Sequence, residues 1–256
     1  MPRITMTVAA IAAIAVGTAN AQVSDPLITI SASSSLGSGS VSFSSADVGA
    51  IVQPNGGIVF LLFATPLDII DTNNNNVIGT ITQLTAVNNA DNTDTLNVQD
   101  ALSAIVFAVF AGGADTTFNL TGSFINTGSV VDAALRATAG ITVTDNNANG
   151  ATLTGGGPGG SYFNASYNGG TTFADLITGP FVVAPAGSDS SSQDFPVAPG
   201  VFDAIANPLT DMQAQFNFTL SANDSASGTS GFFSIPSPAS ASLIALGGIV
   251  GLRRRR

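Results

Sequence analysis

Apolar and polar residues alternate without a break from position 211 to position 221. Met212, Ala214, Phe216, Phe218 and Leu220 stand at every second position, with polar side chains between them. Because successive side chains of a β-strand point to opposite faces of a sheet, this period of two predicts a strand with one face in a core and the other in water.

Weaker versions of this alternation occur along most of the chain. They predict further strands over residues 27–32, 39–43, 57–63, 77–87, 117–125, 137–144, 161–167 and 231–235. Asn-Gly pairs at 55–56, 149–150 and 168–169 favour tight hairpins, since both residues accept positive φ. Residues 73–76, 155–160 and 188–192 are predicted as loops. Together these signals predict an all-β fold, an antiparallel β-sandwich of jelly-roll or immunoglobulin-like type.

Two segments do not fit a simple alternation. Residues 98–111 are apolar on nearly all sides and fit either a buried central strand or a short helix capped by Asp100. Their β-branched and aromatic residues favour the strand. Residues 132–138, with the sequence DAALRAT, are the other place where a short helix is expected.

The first 21 residues have the three parts of a secretory signal peptide, including an N-terminal signal helix. Arg3 supplies the positive charge, residues 8–16 form an apolar run, and Ala19 and Ala21 fit the small-x-small rule for cleavage. Cleavage by signal peptidase after Ala21 would leave Gln22 as the first residue. The sequence therefore predicts an exported protein with an extracytoplasmic domain over residues 22–235.

The last 21 residues combine two prolines, an apolar segment and a block of arginines. Pro236, Ser237 and Pro238 precede fourteen uncharged residues, 239–252, and Arg253, Arg254, Arg255 and Arg256 end the chain. Fourteen helical residues cover about 21 Å, whereas the hydrocarbon core of a bilayer is about 30 Å thick. The segment predicts a short C-terminal membrane helix whose arginines stay on the cytoplasmic side.

In the order of its parts, the segment 236–256 resembles the PEP-CTERM sorting signal of exported bacterial proteins. The resemblance implies recognition by a membrane-embedded exosortase, which releases the protein to the cell envelope or an extracellular matrix. Ser237 stands where the family has Glu, as in planctomycete-like variants of the motif. An ordinary C-terminal membrane anchor is the alternative interpretation.

Composition excludes most familiar catalytic chemistry. The chain has no Cys, His or Trp, its six basic residues are all Arg, and its sixteen acidic residues are all Asp. This removes thiol nucleophiles, His and Lys bases, disulfides and zinc sites built from Cys or His. Residues 22–235 hold one arginine against sixteen aspartates, a net charge of −15. Such a surface repels phosphate backbones, so no nucleic acid partner is expected.

Two loops rich in Asp and Asn resemble the first half of a calcium-binding loop. Asp145, Asn147 and Asn149 place oxygen ligands at alternate positions before Gly150, and Asp71, Asn73 and Asn75 do the same. At the twelfth position, where a bidentate acid belongs, the chain has Gly156 and Thr82. Hairpin turns favoured by Asn are therefore the preferred interpretation, with calcium as the candidate cofactor and no other cofactor expected. A calcium site shared between loops, at Asp68, Asp71, Asp91 and Asp94, remains open.

Other candidates for chemistry are weaker. A pair of aspartates can hydrolyse a glycosidic bond, but the sixteen are scattered and no pair stands out. Aromatic platforms for sugars would have to use Tyr162 and Tyr167, whose spacing of five places them on opposite faces of a regular strand unless a bulge intervenes. The glycine-rich segment 155–160 does not lie between a strand and a helix, so it predicts a loop rather than a phosphate site.

These observations favour a non-enzymatic, structural or adhesive protein of the cell envelope or extracellular matrix. Its expected partners are signal peptidase, an exosortase-like processing enzyme, and exopolysaccharide or other matrix proteins. A carbohydrate-binding module is the first alternative, and an Asp-based hydrolase is the second.

Overall fold

The computed structural model describes residues 22–44, 59–60, 66–91 and 100–236. Within these ranges the chain forms strands, one 3-10 turn at Pro158–Gly160 and no α-helix, so the predicted all-β class is confirmed. The strands are β1 (Gln22–Val23), β2 (Ile28–Ser34), β3 (Gly37–Phe43), β4 (Val59–Phe60), β5 (Leu67–Ile70), β6 (Val77–Asp91), β7 (Asp100–Ala111), β8 (Thr116–Gly122), β9 (Ile125–Val130), β10 (Ala133–Thr144), β11 (Ala151–Gly155), β12 (Ser161–Tyr167), β13 (Thr171–Thr178), β14 (Phe181–Val183), β15 (Ser188–Phe195), β16 (Asp203–Ala204), β17 (Leu209–Leu220) and β18 (Ser225–Pro236).

The strands form two antiparallel sheets. The first sheet has the order β1-β9-β17-β8-β2-β3, and β12 and β11 also pair with β17, carrying β13 and β14 beside them. The second has the order β15-β10-β18-β7-β6-β4, with β16 beside β10 and β5 beside β6. The sheets face each other across one apolar core, which makes the fold a sandwich.

Alternation along each strand builds that core. The predicted strand at 211–221 is β17, and its side chains alternate between buried and half-buried from Met212 to Leu220. On β7 the inward residues include Phe107, whose ring lies 4.9 Å from that of Phe216 and 5.6 Å from that of Phe218, both on β17. These rings join the two sheets, and together they fix which face of each strand is buried.

Three segments with an uncertain or weak sequence pattern form strands. Residues 100–111 form a strand, β7, paired with β6 and β18, as favoured. The short helix expected at 132–138 is wrong: Asp132 lies in a turn with φ of 54°, and β10 follows at Ala133. The loop expected at 188–192 is also wrong, because these residues pair with β10 as the edge strand β15.

The turn signals have different outcomes. Asn168, with φ of 48°, lies in the turn between β12 and β13, which pair as a hairpin, so this prediction is confirmed. The pair at 149–150 instead connects β10 of the second sheet to β11 of the first, so it does not form a hairpin. The pair at 55–56 lies outside the described residues.

Several predictions concern the two ends of the chain. Ala19 and Ala21, and also Ser237, Pro238 and Arg253 to Arg256, lie outside the described residues, and Pro236 is the last residue of β18. In the part of the chain that the structure describes, no helix is long and apolar enough to cross a membrane.

Candidate functional site

The Asp71 carboxylate organises the turn between β5 and β6. Its Oδ1 accepts hydrogen bonds from the backbone amides of Asn73 (2.6 Å) and Asn74 (3.3 Å), and its Oδ2 accepts one from Ser38 (3.0 Å). The backbone amide of Asn75 donates to the Asp71 carbonyl at 2.9 Å. The Asn73 and Ser38 amides are the main reasons why the pKa of the Asp71 carboxyl lies below its ordinary value.

The Asp145 carboxylate plays the same part between β10 and β11. Oδ1 accepts from the backbone amides of Asn147 (3.1 Å) and Ala148 (3.0 Å), and Oδ2 accepts from Gly150 (2.9 Å) and Ala186 (2.6 Å). Burial acts to raise the pKa of Asp145, but the four amide donors outweigh it and hold the pKa below its ordinary value. Both carboxylates are therefore acceptors for the backbone of their own turns.

The remaining calcium-loop candidates also serve these turns. The Asn147 side chain donates to the carbonyl of Ala222 at 3.0 Å, and the backbone amide of Asn149 donates to Asn147 Oδ1 at 3.1 Å. Within the described ranges, no three acidic side chains come together as metal ligands do. The shared site suggested above includes Asp94, which lies outside the described residues, so it stays a prediction. In the described loops, the Asp71 and Asp145 carboxylates accept backbone amides and so stabilise the turns.

Aspartates are largely missing from the middle of the second sheet. β10 and β18 contain no aspartate, and β7 contains one, Asp100, at its first position. Carboxylates stand at the edges of this sheet instead, with Asp68 on β5 and Asp194 on β15. Asp194 is paired with Arg136 at 2.8 Å. The outer face between these edges includes hydroxyl-bearing side chains such as Thr142 and Thr229, apolar ones such as Val106, and the Arg136 side chain.

A shallow depression of about 470 Å³ crosses this outer face, and we call it the hydroxyl trough. The register places Gly140 between Ser192 and Thr229, and Thr142 between Ser190 and Ser227. The absence of a side chain at Gly140 opens the trough. Its polar lining comes from Gln83, Thr142, Ser190, Ser192, Ser227 and Thr229.

The outer face of the first sheet carries a smaller and more sharply formed cavity of about 210 Å³, which we call the amide pocket. It lies where the loop after β11 folds over β12 and β17, and it is lined by Gly156, Pro158, Asn164, Thr172, Gln215 and Asn217. Asn164 and Gln215 are direct partners in the β12–β17 register. A Cβ at position 156 would lie 2.3 Å from Asn217 Oδ1, so a larger residue there would displace the Asn217 side chain.

Neighbouring groups orient the amides of this pocket. The Asn164 NH₂ group donates to Asp175 Oδ1 at 2.7 Å, and the Gln215 NH₂ group donates to Asn119 Oδ1 at 2.9 Å. These bonds engage one N–H of each amide and fix its orientation, and each side chain keeps its carbonyl oxygen as a free acceptor. Asn217 Oδ1 is buried and has no hydrogen-bond partner. The arrangement therefore offers acceptors to anything that enters the pocket.

Neither tyrosine provides an aromatic platform for a sugar. Tyr162 is completely buried, and its hydroxyl lies 2.5 Å from the Leu153 carbonyl and 2.6 Å from the Gly179 carbonyl. Burial raises the pKa of Tyr162 to about 12. Tyr167 is half-buried against the core. A bulge interrupts the β12–β13 pairing after Ala165, but it does not bring the two rings to one exposed surface.

Sequence reasoning did not find the amide pocket. Asn164 and Gln215 are far apart in the chain, and only the pairing of β12 with β17 brings them together. The one signal near the pocket was the glycine-rich segment 155–160, which was predicted as a loop; Gly155 ends β11, and residues 156–160 form the connection to β12 with a 3-10 turn at Pro158–Gly160.

Comparisons with known proteins identify no family. No family model matches the chain, and no curated protein matches it. Among solved structures, the enzymatically active domain of the bacteriophage CBA120 tailspike protein 4 aligns with 12% identity and a TM-score of 0.21, covering 70% of this chain and 19% of the tailspike chain. The infectious bursal disease virus Gx strain structure aligns with 14% identity and a TM-score of 0.16, over 84% of this chain and 66% of the viral chain. These scores are too low to show a shared fold.

Proposed function

We propose that the chain is an exported, non-enzymatic protein of the cell envelope or extracellular matrix whose sandwich acts as a structural or adhesive body. The observation that carries this proposal is the uncharged polar lining of the hydroxyl trough on the outer face of the second sheet. The carboxylates of Asp71 and Asp145 are bound within turns, while the trough displays the uncharged hydroxyls of serine and threonine side chains. Both sandwich types expected from the sequence use their faces and end loops for binding.

An uncharged polar face suits contact with a hydroxylated polymer. Such a polymer can exchange hydrogen bonds with water for hydrogen bonds with Ser, Thr and Asn at little net cost. A face covered with carboxylates would instead lose strongly bound water on contact. The matrix partners that fit best are therefore neutral exopolysaccharides and uncharged protein surfaces, and nucleic acid is not among them.

Export and sorting belong to the same proposal. Signal peptidase would cleave after Ala21, and an exosortase-like enzyme would process the segment 236–256. The predicted cleavage site directly precedes β1, which begins at Gln22, and the predicted sorting segment begins at Pro236, the last residue of β18. The expected location is the envelope or the extracellular space, with transient or permanent anchorage through the C-terminal segment.

Intact-mass measurement of the native protein from membrane and extracellular fractions tests the sorting step. A species that begins at Gln22 and lacks residues 243–256 would support export and release. A membrane species that retains Arg253 to Arg256 would contradict release and indicate a plain anchor.

Retention in isolated extracellular matrix tests the adhesive step. Thr229→Asp places a carboxylate in the middle of the hydroxyl trough, and we expect it to reduce retention. Val182→Asp adds the same charge at a residue that is 74% exposed and outside the trough, so it serves as the matched control. Equal retention of wild type and both variants would contradict adhesion through this face.

A carbohydrate-binding module is the second candidate, and the amide pocket is the observation that favours it. The Asp-based hydrolase gains no such support, since neither the hydroxyl trough nor the amide pocket is lined by an aspartate.

A further inference from the structure

We infer that the amide pocket binds one sugar residue of a neutral polysaccharide through its carbonyl acceptors. The inference deepens the adhesive function proposed above and rests on it for access to a polysaccharide matrix. It adds a specific site, a ligand class and a direction for the hydrogen bonds.

The orientation of the amides determines what the ligand must supply. Asp175 accepts from the NH₂ group of Asn164, and Asn119 accepts from that of Gln215. The carbonyl oxygens of Asn164 and Gln215 have no donor among the described residues, so a ligand that binds to these oxygens supplies the hydrogen-bond donors. Sugar hydroxyls are such donors, and adjacent hydroxyls on one ring could reach two acceptors on neighbouring strands.

Charge selects a neutral ligand. The pocket lining contains no carboxylate, so a cation would lose its hydration without an opposite charge in contact. An anionic sugar would approach a domain whose net charge over residues 22–235 is −15. Neutral sugars avoid both penalties.

The size of the cavity limits the ligand to a single ring. Its 210 Å³ is smaller than the roughly 300–1,000 Å³ of pockets that hold drug-sized molecules. Pro158 and the backbone of Gly156 and Gly157 form a wall without polar side chains, against which the C–H face of a sugar can pack. The rest of a polysaccharide would continue along the open face of the first sheet.

Asn217 is a third group that binding would satisfy. Its Oδ1 is buried against Gly156 without a partner, and an unsatisfied buried acceptor costs free energy. Rotation of this amide would turn the carbonyl toward a ligand hydroxyl. We expect the Asn217 side chain to change its environment when a sugar binds, although its backbone is fixed in the centre of β17.

The test is a ¹H–¹⁵N NMR titration of the folded protein that follows the side-chain NH₂ signals of Asn164, Gln215 and Asn217. The probes are cellotriose, maltotriose, laminaritriose and mannotriose, with trigalacturonate as the anionic comparison. We expect at least one neutral probe to shift these signals with a dissociation constant on the order of 1 mM, and trigalacturonate to bind more weakly.

Two matched variants assign the site. Gln215→Ala removes a pocket acceptor, and Gln213→Ala removes the same side chain two residues away on the same face of β17, outside the pocket. Each substitution also removes one intramolecular hydrogen bond of 2.9 Å, so their structural costs are similar. We expect Gln215→Ala to weaken binding about tenfold and Gln213→Ala to leave it within about twofold of wild type.

Two results would overturn the inference. One is the absence of shifts in the pocket amides with all four neutral probes at tens of millimolar. The other is equal binding by the Gln215→Ala and Gln213→Ala variants, which would place any sugar site elsewhere. A chain that is sorted and retained in the matrix but binds no probe would overturn the pocket alone and leave the proposed function standing.

Discussion

Replacing Phe107 by alanine is the sharpest test of how the two sheets are held together. The side chain is 1% exposed, and its ring contacts Phe216 and Phe218 across the core at 4.9 and 5.6 Å. Phe107 lies on β7 of the second sheet and both partners lie on β17 of the first. The substitution therefore removes contacts between the sheets and leaves a cavity at their centre.

The expected cost follows from three contributions. Loss of the buried ring forfeits about 1.5–3 kcal/mol of transfer free energy, each lost aromatic pair adds about 0.5–1.5 kcal/mol, and the cavity adds more. Large-to-small changes of this kind cost about 3–5 kcal/mol in total. That is a large part of the 5–15 kcal/mol that is typical of a folded domain.

Gly228 provides a second, independent check on this geometry. A Cβ at this position would lie 2.5 Å from Phe107 Cε1, so Gly228→Ala should overpack the core and cost about 1–3 kcal/mol. In the double variant the new methyl group enters the space that the ring has left. We expect its cost to be smaller than the sum of the single costs by at least about 1 kcal/mol.

Urea denaturation followed by far-UV circular dichroism would measure all four chains, since the protein has no Trp to report on unfolding. Val182→Ala, at an exposed position, is the control and should lie within about 0.5 kcal/mol of wild type. A Phe107→Ala cost below about 1 kcal/mol, or strictly additive costs in the double variant, would refute the packing described here.

Three further predictions concern single polar groups. Tyr162→Phe removes a buried donor from the Leu153 and Gly179 carbonyls and should cost about 1–3 kcal/mol in the same denaturation experiment. Because burial raises the pKa of Tyr162 from 10.0 to about 12, the stability contributed by its neutral hydroxyl is complete below pH 10 and is lost as the pH rises to 12. The Tyr162→Phe variant should not show this loss of stability in alkali. The pKa of Asp145 is lowered from 3.8, so the stability that its carboxylate contributes is present above pH 3.8 and is lost as the pH falls further. Asp145→Asn should lower the Tm at neutral pH and reduce the loss of stability in acid. Millimolar calcium should leave the Tm unchanged, because the Asp71 and Asp145 carboxylates already accept backbone amides, and a rise in Tm would contradict this assignment.

The strands that could be predicted are those whose own residues carry the pattern. β17 alternates over its whole length because one face meets the core and the other meets water. β15, with the sequence SDSSSQDF, has no such pattern, because it is a mostly exposed edge strand held by β10. Residues 132–138 were expected to be helical from their alanines, but pairing with β18 along all of β10 outweighs the weak local preference.

The candidate sites also differ in whether neighbouring residues or distant strand pairing determine them. The turns at Asp71 and Asp145 could be predicted because an Asp or Asn side chain accepts from amides two or three residues later, a contact set by local sequence. The amide pocket depends on the register of β12 against β17, which no spacing in the sequence reveals. The orientation of its amides depends in turn on Asp175 and Asn119, which come from two further strands.

Charge placement connects the fold with the proposed function. Exposed sheet edges invite pairing with other chains, and charged side chains at an edge oppose it. Asp189 and Asp194 on β15 and Asp68 on β5 stand at such edges, while the central strands β10 and β18 of the second sheet contain no aspartate. With a net charge of −15 over residues 22–235, copies of the domain repel one another at low ionic strength. On mutually repelling copies, the uncharged lining of the hydroxyl trough would favour attachment to a neutral polymer between them, as in the polysaccharide matrix that we propose.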